Sequence, residues 1–289
     1  MKVSDTQFFS KFYDLEVNPF GETPDPDFYY ASLKHSKALS ELLCSLRQGK
    51  GFGVLTGEVG TGKTLLSRLL LAQVSAHSNT ALVLYPKFTE VELLESIAEE
   101  FEVPVAKTEL TSAKAHVDHL NRFLLQSVES GKRSVLMIDE AQALSVDALE
   151  TIRLLSNLET KTEKLLQIVL IGQPELKQKL DQEELRQLKQ RISVHAKLSG
   201  LDLFETANYI KSRIERVGNT NFVRFDPSAV KAIHQLSSGI PRRINQICEL
   251  VLRYGETKRI RLINKSVCEE ALNLKPTNFF STWRKKERN

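Results

Sequence analysis

The sequence lacks the long apolar runs and paired cysteines that mark membrane-spanning and disulfide-bonded proteins. No stretch reaches the roughly 18 apolar residues that a transmembrane helix needs, and no apolar segment typical of a secretory signal lies near the amino terminus. The three cysteines, Cys44, Cys248 and Cys268, are widely separated and odd in number. This pattern disfavours a disulfide framework or a cysteine-based metal site, and each cysteine lies in a predicted helix and is expected to be buried. We therefore expect a cytoplasmic protein without an integral membrane span.

Glycine and proline are too scarce for a collagen-like or low-complexity chain, at 13 and 9 residues in 289. Hydrophobic residues make up 41% and charged residues 26%, as in soluble globular proteins. Charge is uneven, because residues 181–289 hold 21 Lys and Arg against 12 Asp and Glu, whereas residues 1–180 hold 19 against 24. Such a basic end contacts nucleic acid, acidic lipid or an acidic protein surface, or is simply a solvated surface.

The hydrophobic pattern divides the chain into four segments. Residues 1–48 combine an arm rich in aromatic residues and proline with an amphipathic helix at 36–47. Residues 49–200 alternate apolar strands with helices, which predicts an α/β core with a five-stranded parallel sheet between helices. Residues 201–273 have only helical periodicity and predict a small all-helical lid, followed by a basic, aromatic tail at 274–289. The predicted strands are residues 52–56, 80–85, 134–138, 166–171 and 194–198.

A glycine-rich segment between the first predicted strand and the next helix matches the phosphate-loop pattern G-x-x-x-x-G-K-[ST] at every position. Gly60 and Gly62 let the backbone curl so that successive N–H groups point at an anion, and the helix adds its positive end. Lys63 supplies charge to the outer phosphates, and the Thr64 hydroxyl suits Mg²⁺. The predicted nucleotide-binding residues here are Gly57, Glu58, Val59, Gly60, Thr61, Gly62, Lys63, Thr64 and Leu65.

Two acidic residues, Asp139 and Glu140, directly follow the third predicted strand. The carboxyl end of a strand is where ligands bind to open parallel sheets. Asp139 is predicted to hold Mg²⁺, and Glu140 to orient and activate the attacking water. Together with the phosphate loop, these carboxylates predict a site that binds ATP with Mg²⁺ and hydrolyses ATP.

Further signatures accompany the two motifs, at residues 18–20, 24–30, 35, 57–64, 138–142, 172–176 and 239–245. With them the chain, over residues 12–273, resembles the AAA+ ATPases, in which a phosphate-loop sheet is followed by a helical lid. It is more specifically similar to the ExeA/GspA family of secretion ATPases, including the MshM-type proteins of pilus biogenesis. The resemblance implies an ATP-hydrolysing homo-oligomer that acts through a membrane-bound secretion or pilus component, peripherally at the inner membrane.

The AAA+ pattern also implies roles for single residues. Gln173 ends the fourth strand, in the place of a polar sensor of the γ-phosphate, and Arg242 matches the lid arginine. Arg186 and Arg191 lie on the helix predicted before the fifth strand, where the family carries an arginine that reaches a neighbouring subunit's nucleotide. Of these two, Arg191 is preferred because it adjoins the strand.

Alternative interpretations remain open at this stage. The aromatic residues Phe20, Phe28 and Tyr29 either cover the adenine or pack as core residues. The basic carboxy-terminal half also suits a DNA-associated AAA+ adaptor that selects transposition targets, although the sequence contains no base-reading helix-turn-helix or zinc finger. A nucleotide-dependent scaffold is a third possibility, disfavoured by the presence of Glu140.

Overall fold

The computed structural model describes residues 12–15, 17–21, 25–84, 89–103, 112–161, 163–218 and 222–273. The chain divides into a sheet unit, Leu33–Ser199, and a helical unit formed by the described parts of Met1–Ser32 and Gly200–Asn289. The amphipathic helix that the sequence pattern grouped with the arm thus belongs to the sheet unit. The predicted tail at 274–289 lies outside the described residues, as does the last residue of the strand predicted at 80–85.

The sheet unit alternates helices and parallel strands. Its α-helices are α1 (Leu33–Arg47), α2 (Lys63–Val74), α3 (Glu90–Glu100), α4 (Ala113–Glu129), α5 (Val146–Leu155), α6 (Pro174–Leu180) and α7 (Arg186–Lys189). Its strands are β1 (Phe52–Gly57), β2 (Ser78–Val83), β3 (Arg133–Ile138), β4 (Leu166–Gly172) and β5 (Ile192–Leu198). The strands form one sheet in the order β2-β3-β4-β1-β5, and every neighbouring pair is parallel. The predicted five-stranded parallel sheet is confirmed.

Strand order determines where the functional residues meet. The chain passes from β1 to the far edge at β2 and returns through β3 and β4, so β1 lies between β4 and β5. Because β3, β4 and β1 are parallel neighbours, the segments that follow them leave the sheet at one edge. All residues of β1 and β4 are buried, as expected for strands covered on both faces.

Local capping starts the helices around the sheet. In α3 the side chain of Thr89 accepts from the backbone N–H of Glu92, whose carboxylate accepts in return from the backbone N–H of Thr89. This reciprocal pair is a capping box. Ser145 accepts from the backbone N–H of Ala148 and caps α5.

Helices follow the sheet, as predicted, whereas the prediction that this part of the chain is all-helical is wrong. Its helices are α8 (Leu203–Glu215), α9 (Pro227–Ser237), α10 (Pro241–Thr257) and α11 (Lys265–Asn273), and two short strands, β6 (Arg224–Phe225) and β7 (Leu262–Ile263), pair in parallel. Strands of two residues carry no periodicity that a sequence pattern reveals. No described helix is long and apolar enough to cross a bilayer.

The described part of the amino-terminal arm packs within the helical unit. Tyr13 and Phe20 are fully buried in its hydrophobic core, and the Tyr13 hydroxyl donates to the carbonyl oxygen of Ile260 at 2.9 Å. Arg213, on α8, donates to the carbonyl oxygens of Pro19 and Gly21, and its guanidinium lies 4.3 Å from the Phe28 ring centre. Of the two interpretations of these aromatic residues, core packing is the correct one for Phe20.

The cysteines differ in their surroundings. Cys248 and Cys268 are buried as predicted, whereas Cys44 is exposed. Cys44 lies on the solvent face of α1, where its sulfur accepts from the side-chain amide of Gln48 at 3.2 Å. Burial raises the pKa of Cys248 well above its usual range and that of Cys268 to about 12, so both buried thiols stay protonated and unreactive.

Candidate nucleotide-binding site

The phosphate loop joins the end of β1 to the start of α2. Gly60 and Gly62 have φ angles of +83° and +97°, in the left-handed region that residues with a Cβ rarely adopt. A Cβ at Gly57 would lie 2.8 Å from the Thr61 hydroxyl oxygen and 2.9 Å from the carbonyl oxygen of Leu198. The loop therefore needs glycine at these positions for reasons of conformation and space.

The tip of the loop is held from two sides. The fully buried Thr61 donates its hydroxyl to the carbonyl oxygen of Glu58 at 2.8 Å. Its own carbonyl oxygen accepts from Nε2 of the buried His35, on α1, at 2.8 Å. His35 is one of the signature positions of the family resemblance, but the sequence predicted no role for it. The structure shows that it supports the backbone of the loop.

Lys63 is the buried cation of the site. Only 6% of its surface is exposed, and its Nζ donates to the carbonyl oxygens of Gly57 at 2.8 Å and Glu58 at 3.1 Å. Burial lowers the pKa of Lys63, while the nearby charges of Glu140 and Asp139 act in the opposite direction. A buried ammonium whose hydrogen-bond partners, among the described residues, are two neutral carbonyl oxygens is well suited to exchange them for phosphate oxygens.

The other residues predicted from the loop lie around this centre. Glu58 and Val59 are exposed at the turn, and Leu65 is half-buried in the first turn of α2. Their position suits backbone contacts with a ligand.

Thr64 and Asp139 bring together two oxygen atoms that could serve as metal ligands. The Thr64 hydroxyl donates to Oδ2 of Asp139 at 2.9 Å, and Asp139 is 3% exposed. Mg²⁺ is typically held by one or two protein oxygens, phosphate oxygens and water, so this pair fits that ion. Within the described residues, no group of three or more His, Cys, Asp and Glu forms an independent metal site. A divalent cation that enters with a nucleotide is consistent with this donor set.

Two side-chain amide groups hold Glu140 at the carboxyl end of β3. Its φ of +52° is unusual for a residue other than glycine. Its Oε2 accepts from Nε2 of Gln142 at 2.5 Å and from Nε2 of Gln173 at 3.2 Å. The structure thus brings together Glu140 and Gln173, as the predicted roles require. It also adds Gln142, which sequence reasoning placed in a signature segment but not in the site.

The two candidate subunit-bridging arginines have different surroundings. Arg186 is the first residue of α7, its side chain is 69% exposed, and it forms an ion pair with Glu183 at 3.6 Å. Arg191 lies in the turn before β5, not on a helix as predicted, because α7 ends at Lys189. Its side chain is half-buried and donates to the Ser156 hydroxyl at 2.9 Å.

Arg242 lies in the helical unit, in the first turn of α10. Pro241 begins this helix, and Gly239 has a φ of +70°. A Cβ at Gly239 would lie 2.0 Å from the carbonyl oxygen of Leu201. The turn before Arg242 therefore needs glycine at position 239, because any other residue would clash there with Leu201.

The fold and the site define a class of protein. Residues 46–180, which include the phosphate loop, Asp139 and Glu140, match the family described as an AAA domain. Over 244 residues the chain is 44% identical to General secretion pathway protein A of Aeromonas hydrophila, a match that covers 84% of this chain and 44% of that protein. The chain therefore belongs to the ExeA/GspA type of AAA+ proteins. It spans less than half the length of that relative.

Solved structures show the same fold. The ORC2 protein of Aeropyrum pernix has a TM-score of 0.67 at 17% identity, over 89% of this chain and 71% of that one. Cdc6p of Pyrobaculum aerophilum has a TM-score of 0.63 at 16% identity, over 83% and 68%. The RuvB branch migration motor of Thermotoga maritima has a TM-score of 0.54 at 17% identity, over 86% and 73%. At such identities the similarity concerns the fold alone.

Proposed function

We propose that the protein binds ATP together with Mg²⁺ and hydrolyses the bond between the β- and γ-phosphates. The observation that carries this proposal is the convergence, at one edge of the sheet, of a buried lysine on a glycine loop, a hydroxyl–carboxylate oxygen pair and a second carboxylate. The nucleotide complexes of the ORC2 protein of Aeropyrum pernix, which include ADPNP and ADP, agree with this use of the fold.

Each residue of the site has a part in this reaction. Lys63 exchanges its carbonyl partners for the outer phosphates, and Thr64 and Asp139 hold Mg²⁺, which neutralises phosphate charge. Glu140 accepts a proton from the attacking water. Gln173 senses the γ-phosphate through the side-chain amide that otherwise donates to Glu140.

The simplest test compares two Lys→Ala variants placed at opposite ends of β1. Lys63→Ala removes the buried cation after the strand, whereas Lys50→Ala removes an exposed lysine before it. Phosphate release from Mg·ATP should be lost in the first variant and unchanged in the second. Absence of hydrolysis by the wild-type protein over a range of protein concentrations would contradict the proposal.

We further propose that hydrolysis requires a homo-oligomer, in which an arginine of one subunit reaches the nucleotide of another. Arg191 is preferred from the sequence, but Arg186 is more exposed, and its surface ion pair with Glu183 is easily broken. In mixtures of Arg191→Ala and Lys63→Ala subunits, some activity should return, because one type of mixed interface has both residues intact. If activity returns only when Lys63→Ala subunits are mixed with Arg186→Ala subunits, Arg186 is the arginine that reaches the neighbouring nucleotide. If a stable monomer is active and its specific activity does not depend on protein concentration, neither arginine has this role.

We assign to Arg242 the part of the lid arginine, a contact with the bound nucleotide. This role would make the conformation of the helical unit depend on whether ATP or ADP is bound. Arg242→Ala should then reduce the difference in protease sensitivity near Gly200 between the ATP and ADP states, whereas the neighbouring Arg243→Ala should not. An unchanged difference in Arg242→Ala would reject the role.

We propose that the partner is a membrane-bound secretion or pilus component, reached peripherally at the inner membrane. The 44% identity to a General secretion pathway protein supports this partner over DNA. The DNA-adaptor alternative rests on the basic carboxy-terminal half, which alone produces weak, salt-sensitive binding. Duplex binding with ATP at about 150 mM salt separates them, since loose electrostatic contacts fade there. Sub-micromolar, ATP-dependent binding with filament formation would favour the adaptor.

A further inference from the structure

We propose that Gln142 is a positioning residue for hydrolysis, holding one carboxylate oxygen of Glu140 so that the other faces the attacking water. The inference rests on the proposed ATPase function and deepens it. Its basis is the cluster at the carboxyl ends of β3 and β4, where the Gln142 side chain bridges Glu140 and the backbone of Gln173.

The orientation of the Gln142 amide follows from its neighbours. Its Oε1 lies 3.0 Å from the backbone nitrogen of Gln173, and a backbone N–H is only a donor, so the atom that faces it is the amide oxygen. The amide NH₂ group therefore faces Oε2 of Glu140 at 2.5 Å. A carboxylate is an acceptor, so both contacts agree on one orientation of the amide, and a flipped amide would lose both.

The surrounding fold is built to hold this side chain. A Cβ at Gly172 would lie 2.6 Å from Oε1 of Gln142, so the glycine at the end of β4 leaves the space that the amide occupies. On the other side, Nζ of Lys179, on α6, donates to the carbonyl oxygens of Gln142 at 2.7 Å and Leu144 at 2.6 Å. The turn that carries Gln142 is thereby tied to the helix that follows β4.

The arrangement separates two tasks. Gln173 and Gln142 both donate to the same oxygen of Glu140. When the Gln173 amide turns to the γ-phosphate, Gln142 is the donor that remains and keeps the carboxylate from rotating.

The test uses two variants, one that changes the charge of the side chain but little of its shape and one that removes the side chain beyond Cβ. Gln142→Glu keeps an acceptor for the Gln173 backbone but sets a second carboxylate against Glu140, and Gln142→Ala removes the bridge. Both variants should lower kcat by about 10- to 100-fold, as expected for loss of a hydrogen bond to a charged group, with KM for ATP changed less than about twofold.

Matched controls and a second route separate positioning from folding. Gln73→Glu and Gln73→Ala make the same changes on the exposed face of α2 and should leave kcat and the KM for ATP unchanged. Gly172→Ala should lower kcat by displacing the Gln142 oxygen while the Gln142 side chain itself is kept. Melting curves and binding of a slowly hydrolysed ATP analogue show whether each variant is folded.

Two results would overturn the inference. One is a wild-type kcat in both Gln142→Glu and Gln142→Ala; the other is a loss of kcat accompanied by an equally large change in the KM for ATP, which marks a merely structural side chain. A wild-type protein that hydrolyses no ATP is a different outcome, because it rejects the proposed function itself.

Discussion

Glu140→Gln is the substitution for which the structure makes the sharpest prediction. In the wild-type protein, the side-chain amides of Gln142 and Gln173 donate to Oε2 of Glu140 at 2.5 and 3.2 Å. A glutamine at position 140 keeps both hydrogen bonds only if its amide oxygen takes the place of Oε2. Its NH₂ group then takes the other position, where it donates to the water but accepts no proton from it.

The expected size of the effect follows from this orientation. A positioned general base contributes typically 10²- to 10⁴-fold to a rate, which corresponds to about 3–5 kcal/mol of transition-state stabilisation. We expect the hydrolysis step to slow by that factor. Affinity for ATP should change by no more than about twofold, because Lys63, Thr64 and Asp139 are untouched.

Single-turnover phosphate release measures the chemical step, and titration with a fluorescent nucleotide measures affinity. Glu99→Gln, on the exposed face of α3, is the matched control and should behave as wild type. Hydrolysis by Glu140→Gln within tenfold of the wild-type rate would refute the role of Glu140 as base. A loss of affinity as large as the loss of rate would assign Glu140 to binding instead.

Three further predictions concern nucleotide binding, the stability of the helical unit and the reactivity of the cysteines. Mg·ATP at 100 times its Kd should stabilise the wild-type protein by about 2.7 kcal/mol in thermal shift assays, and Lys63→Ala should show no such shift. Arg213→Ala should lower the free energy of unfolding of the helical unit by about 2–4 kcal/mol in urea, because it removes two charge-assisted hydrogen bonds; a change below about 1 kcal/mol would contradict this. At pH 8 a thiol reagent should label one cysteine per native chain, since burial raises the pKa of the other two, and Cys44→Ser should abolish that labelling.

Features determined by neighbouring residues were predictable from the sequence. The phosphate loop is one continuous segment whose glycines and lysine act through their own backbone and side chains, so its pattern is visible without a fold. The capping box of α3 joins Thr89 and Glu92, three residues apart. The five parallel strands were likewise predictable, because strands buried on both faces are apolar throughout.

Features determined by distant residues were not predictable in this way. Only the strand order brings Gln173 to Glu140, 33 positions away along the chain. The same holds for Arg213, which binds a carbonyl oxygen 194 positions away in the amino-terminal arm.

The sequence alone determined which residues have the chemistry for phosphate, Mg²⁺ and water, because that chemistry belongs to residue types at short spacings. Only the tertiary structure decided which side chains hold them in place. The position of Gln142 along the chain does not by itself indicate a role in the site. Gln142 becomes part of the site because Gly172 leaves room for its amide beside Glu140. Such a contact depends on the packing of two strands and the turns that follow them, and sequence periodicity carries no information about that packing.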